Sequence, residues 1–301
     1  MKQSDVIRSG RRLSRPFRVS QGKGFRLRDV DPADTGDFKP EDKPRAREAL
    51  EMGIEVLAEM QNRLYAQDRW SLLVIFQAMD AAGKDSAIKH VMSGVNPQSC
   101  QVSAFKVPSA EELDHDFLWR CQKRLPERGC IGIFNRSYYE EVLVVRVHPE
   151  LIDRQHLPGA RAGDKLWRQR YKDIRNFERY LGHNGTLVRK FFLHVSLEEQ
   201  KRRFLERLAD PAKNWKFSSE DVKERGYWKA YMAAYEDAIR ATATPDAPWY
   251  AVPADNKWFT RIVVASAVVD ALASLDLEYP KVTGQKLKDF AAAKKELLAG
   301  N

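Results

Sequence analysis

Cysteine is scarce in this chain. Three residues, Cys100, Cys121 and Cys130, make an odd count at no zinc or redox spacing. That excludes a disulfide framework and fits idle thiols in a reducing compartment. No apolar run is long enough to span a bilayer. The basic stretch Met1–Gly24 is followed by no apolar segment, so it is not a secretory signal. A cytoplasmic protein with no membrane partner is the expectation. The six histidines make no metal-ligand pattern, and His115 and His148 are read as structural. Internal repeats, low-complexity tracts and base-reading motifs are all missing, which speaks against a nucleic-acid partner.

What is present is basic and well solvated. In 301 residues, 51 Lys and Arg stand against 42 Asp and Glu, a formal charge of +9. Such a surplus favours an anionic partner. Apolar residues make up 43% of the chain, enough for one large α/β domain with a helical insertion.

Residues 1–45 are rich in Arg, Lys, Asp, Pro and Gly without sustained periodicity, and read as an irregular basic arm. The main domain is placed at 46–278 and a peripheral C-terminal helix or tail at 279–301. Arg45–Arg69 is helical in pattern, with Leu50, Ile54, Leu57 and Leu64 roughly on one face. Ser71–Phe76 is a continuous apolar run, the pattern of a strand buried on both faces. Further strands are expected at Gln101–Lys106, Cys130–Phe134, Leu187–Val195 and Trp249–Val252. Helices are expected at Ala110–Arg124, Trp167–Leu181, Leu197–Leu208, Trp228–Arg240 and Trp258–Leu275. Strands alternating with helices give a mostly parallel sheet covered on both faces, a three-layer α/β/α sandwich.

The first strand runs into Gln77-Ala78-Met79-Asp80-Ala81-Ala82-Gly83-Lys84-Asp85-Ser86. A phosphate-binding P-loop reads G-x-x-x-x-G-K-[ST] between a strand and a helix. Gly83 and Lys84 are in place, whereas Ala78 replaces the first Gly and Asp85 the hydroxyl residue, with Ser86 one position late. Gly83 lets successive N–H groups face an anion, the helix N-terminus adds its positive end, and Lys84 adds a point charge. Ala81, Ala82, Gly83, Lys84, Asp85 and Ser86 are therefore candidate phosphate-binding residues. A carboxylate in such a loop repels phosphate unless a cation lies between, so Asp80 is a candidate Mg²⁺ ligand. A helix cap is its plain alternative.

The strand at Cys130–Phe134 leads into Asn135-Arg136-Ser137-Tyr138-Tyr139-Glu140. Ligands of open parallel sheets sit at the carboxyl ends of strands. Arg136 can fork onto phosphate oxygens, and Glu140 can help hold metal. The plain alternative is a surface ion pair. Between Arg202 and Lys229 lie Arg202, Arg203, Arg207, Lys213, Lys216, Lys223 and Arg225, with Trp215 and Phe217 among them. This composition suits a helical lid that closes over phosphate, or a solvated basic face.

Together these segments resemble the polyphosphate kinase 2 family. The likeness is carried by Asp80–Asp85, Phe134–Glu140, Phe105-Lys106-Val107-Pro108-Ser109, Asn214-Trp215-Lys216-Phe217 and Ala247-Pro248-Trp249-Tyr250. It runs from about Glu48 to Leu275. The resemblance implies a P-loop kinase core similar to thymidylate kinase, with a helical lid. It implies Mg²⁺-dependent, reversible phosphoryl transfer between inorganic polyphosphate and a nucleoside mono- or diphosphate, AMP, ADP or GDP. Carried over by position, Asp80, Lys84, Arg136 and Glu140 become catalytic, with Asp80 and Glu140 on the metal. Asn135, Arg136 and Lys106 become nucleotide-binding. Arg203, Arg207, Lys213 and Lys216 join the loop in binding polyphosphate. Many members carry Asp where this chain has Asn135, and the Asn form resembles the subgroup that accepts both AMP and ADP. A homo-oligomer, dimer or tetramer, is expected. An ATP-dependent nucleoside or nucleotide kinase, or a non-catalytic basic protein that binds nucleic acid, are the alternatives.

Overall fold

The computed structural model describes residues 2–159 and 162–299, without the side chain of Lys216. Its six strands are β1 (Arg18–Val19), β2 (Ser71–Gln77), β3 (Cys100–Ala104), β4 (Ile131–Asn135), β5 (Thr186–His194) and β6 (Trp249–Pro253). They form one sheet in the order β1-β6-β5-β2-β4-β3, parallel throughout except for the β1–β6 pair. Every residue of β2 and β6 is buried. A parallel strand covered by helices on both faces needs apolar residues at successive positions, not alternate ones. The three-layer α/β/α architecture with a mostly parallel sheet is therefore the one expected.

The helices are α1 (Gln3–Ser14), α2 (Lys43–Gln67), α3 (Lys84–Val91), α4 (Ala110–Leu113), α5 (Trp119–Gln122) and α6 (Val144–Val147), followed by α7 (Asp164–His183), α8 (Leu197–Ala209), α9 (Ser219–Gly226), α10 (Trp228–Thr242), α11 (Lys257–Ala273) and α12 (Gln285–Ala299). Among them α11 is the most apolar and lies in the core. Strands β2 and β4 pair in register, Phe76 opposite Asn135. Their carboxyl ends therefore open side by side, and this places the phosphate loop next to the Asn135–Glu140 segment.

Two expectations are corrected. The N-terminal arm is not irregular: it holds α1, packed on α11, and β1 on the sheet edge. Its apolar signal is thin because Gly10 sits in the middle of the contact face, against Ser266, between Val6 and Leu13. Farther along, Gly22 lies against the backbone of Arg240, where a Cβ would come within 1.8 Å of the carbonyl oxygen. The Leu27 N–H donates to Glu236 at 2.8 Å. The single helix expected over Ala110–Arg124 is split into α4 and α5. Asp116 takes the N–H of Leu118 onto its side chain (2.9 Å), so it starts a new turn. A capping box of Ser109 and Glu112 opens α4.

Candidate active site

The loop after β2 is built around two left-handed residues, Ala81 (φ 61°) and Gly83 (φ 106°). Gly tolerates this region freely, whereas Ala is held there at a cost of about 1 kcal/mol. Asp80 does not cap α3; the N-cap is Gly83 and no side chain caps it. Lys84 is buried and donates to the carbonyls of Ala78 (2.8 Å) and Met79 (3.4 Å), tying the two ends of the loop together. Burial lowers its pKa, and the nearby Asp80 carboxylate opposes that shift.

Arg136 follows β4 in the left-handed region, φ 66°. That twist aims its guanidinium back at the loop. It donates to Asp80 Oδ1 at 2.7 Å and to Glu140 Oε2 at 3.4 Å. The two carboxylates thus converge on one cation, with side chains of all three partly exposed. Glu140 first, then Asp80, raises the Arg136 pKa against the opposing effect of burial. The catalytic set Asp80, Lys84, Arg136 and Glu140 expected from sequence is one cluster.

Asp85, which stands in place of the P-loop hydroxyl residue, and Asn135, which stands where many members of the family carry Asp, are partners. The Asn135 amide donates to Asp85 Oδ1 at 2.7 Å. An Asp at 135 would place two carboxylates in that contact, so Asn suits a chain with Asp at 85. Ser86, one place later, accepts from Arg261 at 2.8 Å.

The basic hairpin is α8 and α9, but Arg202, Arg203, Arg207, Lys213 and Lys223 face its own acids. Arg203, expected on polyphosphate, is buried behind the loop. It donates to the carbonyls of Ala81 (3.1 Å), Ala82 (2.8 Å), Ala254 (2.6 Å) and Asp255 (3.0 Å), and to Glu199 (2.7 Å). It shapes the loop from beneath. Arg207 lies 3.6 Å from Asp221 of α9, whose pKa is raised by burial and then by Asp80, so this pair borders the cluster. Lys213 is exposed and pairs with Asp210 at 2.5 Å. Lys106 is exposed just beyond β3. The side chain of Lys216 lies outside the described residues.

A family model described as polyphosphate kinase 2 matches residues 40–280, well over half of the chain. The chain belongs to the polyphosphate kinase 2 family. A Rhodopseudomonas palustris protein named ADP-polyphosphate phosphotransferase is 49% identical over 283 residues, 92% of this chain and 98% of that one. The AMP/ADP-polyphosphate phosphotransferase of Meiothermus ruber is 43% identical over 265 residues, 88% of this chain and 95% of the relative. The crystal structure of polyphosphate kinase 2 from Arthrobacter aurescens matches with a TM-score of 0.85 at 39% identity, covering 96% of this chain and 97% of that one. The chain is thus an enzyme of the polyphosphate kinase type.

Several residues of this polyphosphate kinase 2 site carry no signal in sequence. Gln77, the last residue of β2, holds Glu140 Oε1 at 2.9 Å. Gln200 of α8 holds the Asp80 carbonyl at 2.9 Å. Below Glu140, Tyr138 and Tyr139 both donate to Glu178 of α7, at 3.0 and 2.8 Å. Glu178 pairs with Lys190 of β5 at 2.6 Å, and this pair is fully buried. Breaking one member of such a pair leaves an uncompensated charge, so the network fixes the Asn135–Glu140 segment to α7 and the sheet. All but the Glu178–Lys190 pair join residues far apart in sequence, which is why spacing gives no hint of them.

Proposed function

We propose that this enzyme transfers the terminal phosphoryl group of inorganic polyphosphate to AMP and ADP, giving ADP and ATP, and that it also works in reverse. The observation that carries this reading is the convergence of Asp80 and Glu140 on Arg136 beside the buried Lys84. The two relatives named for ADP and for AMP/ADP support it.

An oxygen of the acceptor phosphate forms the new P–O bond as the P–O–P bridge to the rest of the chain breaks. The shortened polyphosphate leaves with the electron pair. Backbone N–H groups from Ala81 to Lys84 and the Lys84 ammonium cradle the donor end, and the Arg136 guanidinium offsets charge on the group in transit. Gln77 and Gln200 hold Glu140 and the loop, so donor and acceptor meet in line. No covalent enzyme intermediate is required.

Among the described residues no group of three or more His, Cys, Asp or Glu is arranged to hold a metal. Two carboxylates already gathered around a cation do fit Mg²⁺, which is usually held by one or two carboxylates and otherwise by water and phosphate oxygens. Asp80 and Glu140 would hold it, and it would neutralise phosphate charge.

The test is incubation with Mg²⁺ and long-chain polyphosphate plus AMP, ADP or GDP, followed by nucleotide separation. ATP from ADP is expected, and ADP from AMP supports the broader acceptor range read from Asn135. Omitting Mg²⁺ should abolish both. Product only with ATP as donor would replace this reading by an ordinary nucleotide kinase.

A further inference from the structure

Helix α7 carries five cations that the site does not use, Lys165, Arg168, Lys172, Arg175 and Arg179, with His183 in line after them, six side chains in all. Their spacing of three and four residues keeps them on one face, within an arc of about 80° at 100° per residue, for about 27 Å. All six are exposed. Among the described residues none of them forms an ion pair; Arg179 donates only to Asn176, at 3.1 Å. The helix's own acids Asp164 and Asp173 stand outside the arc, and Glu178 is buried against Lys190. A solvated helix face ordinarily alternates charges at this spacing. This one does not.

A groove runs beside the stripe. Lys172, Arg175, Arg179 and His183 edge a hollow of about 710 Å³ whose wall includes the buried Arg189. Arg168 edges a second hollow of about 350 Å³, which Asp164 and the paired Arg146 and Asp237 also line, so the positive groove lies along the later part of the stripe. The face is rigid, because Trp167, Ile174, Phe177 and Leu181 bury the opposite side of α7 and Glu178 is bonded into the core. Strand β5 is parallel to β2. The helix that precedes β5 therefore starts near the sheet edge that carries the phosphate loop and runs towards the other end.

The geometry points to a docking track for the distal part of a long polyphosphate chain, separate from the phosphate loop and the basic hairpin. A line of evenly spaced cations matches a polymer with evenly spaced anions. The arc carries no Phe, Tyr or Trp on which bases would stack, and no apolar side chain to enter a lipid surface. The track holds the tail of a long donor while its end reacts. It rests on polyphosphate being the donor.

The test compares wild type with the triple variant Lys172→Gln, Arg175→Gln, Arg179→Gln, using long-chain polyphosphate and tripolyphosphate as donors. The triple variant is expected to raise KM for the long chain about tenfold, with kcat unchanged. KM for tripolyphosphate should not move, because it is too short to reach the track. Arg175→Lys and Arg179→Lys, which keep the charge, should behave as wild type. Equal KM shifts for both donors, or none, would overturn the track. So would light scattering that finds wild type oligomeric and the triple variant dissociated, which makes the face a contact between copies. A loss of duplex DNA binding with polyphosphate binding intact would overturn it as well. If wild type used neither donor, the functional reading itself would fall. Direct binding of fluorescently labelled polyphosphate would then decide the track alone: about tenfold weaker binding by the triple variant upholds it, and equal binding overturns it.

Discussion

The protein has two helical regions dense in cations, and they handle charge in opposite ways. In the hairpin α8–α9, Arg202 sits on Glu199 and Glu206, Arg203 on Glu199, Arg207 on Asp221, Lys213 on Asp210 and Lys223 on Glu220. On α7 the five exposed Lys and Arg of the stripe form no ion pair among the described residues. Sequence alone ranks the hairpin as the phosphate surface, because its Lys and Arg cluster there. The structure adds the acids, and most of the hairpin's positive charge is cancelled locally. A count of cations in a segment is therefore a poor guide to its field; the partners three and four residues away decide it.

The largest effect is expected at the phosphate loop, which Arg203 of the hairpin braces from beneath. Lys84→Ala removes the one buried ammonium of the loop and should lower turnover on the order of 10²–10³-fold. Far-UV circular dichroism should be unchanged, since a desolvated charge is lost with it. Retained wild-type turnover would remove the phosphate loop from the chemistry altogether.

Next in size is Arg203→Ala. It leaves the carbonyls of Ala81, Ala82, Ala254 and Asp255 without their donor and Glu199 without one of its partners. A loss of about 3 kcal/mol in denaturant unfolding is expected, accompanied by reduced turnover. Unchanged stability with a raised KM for polyphosphate would mean that Arg203 faces the substrate and that hairpin and track share one role.

Ionic strength gives a subtler separation. Added salt screens exposed charges more than buried ones. KM for long-chain polyphosphate should therefore rise faster with salt than KM for tripolyphosphate, and the α7 triple variant should lose that difference. The smallest effect is expected from Arg202→Gln and Lys223→Gln. Both residues are already neutralised at the surface, so neither Tm nor KM should change measurably. A KM shift as large as that of the α7 variant would erase the contrast.

The central strands of the sheet were legible because they are apolar runs, and Ser71–Phe76 could hardly be anything else, whereas the two-residue β1 left no such run. The cluster of Asp80, Lys84, Arg136 and Glu140 was legible for a related reason: residues that follow buried parallel strands gather at one edge. Helix α1 was not, because a glycine fills the centre of its contact face and leaves no periodic signal. Arg203 was seen as a cation but not as a clamp, since its acceptors are backbone oxygens, which every sequence has everywhere. The Lys190–Glu178 pair was hidden inside a strand and a helix that already looked complete.

The two-residue strand β1 has a consequence for how the chain can be handled. Arg18 and Val19 pair antiparallel with Tyr250 and Trp249 and cover the outer side of β6, while β3 forms the other margin with Gln101, Val102 and Ala104 exposed. A strand left uncovered is a template for pairing with another molecule. Trimming the N-terminus through Val19 would bare β6, an almost wholly apolar strand, and give the sheet two sticky margins where it now has one. The short basic leader thus acts as a guard against aggregation, and shortened versions of this protein should be lost from solution before they are lost from activity.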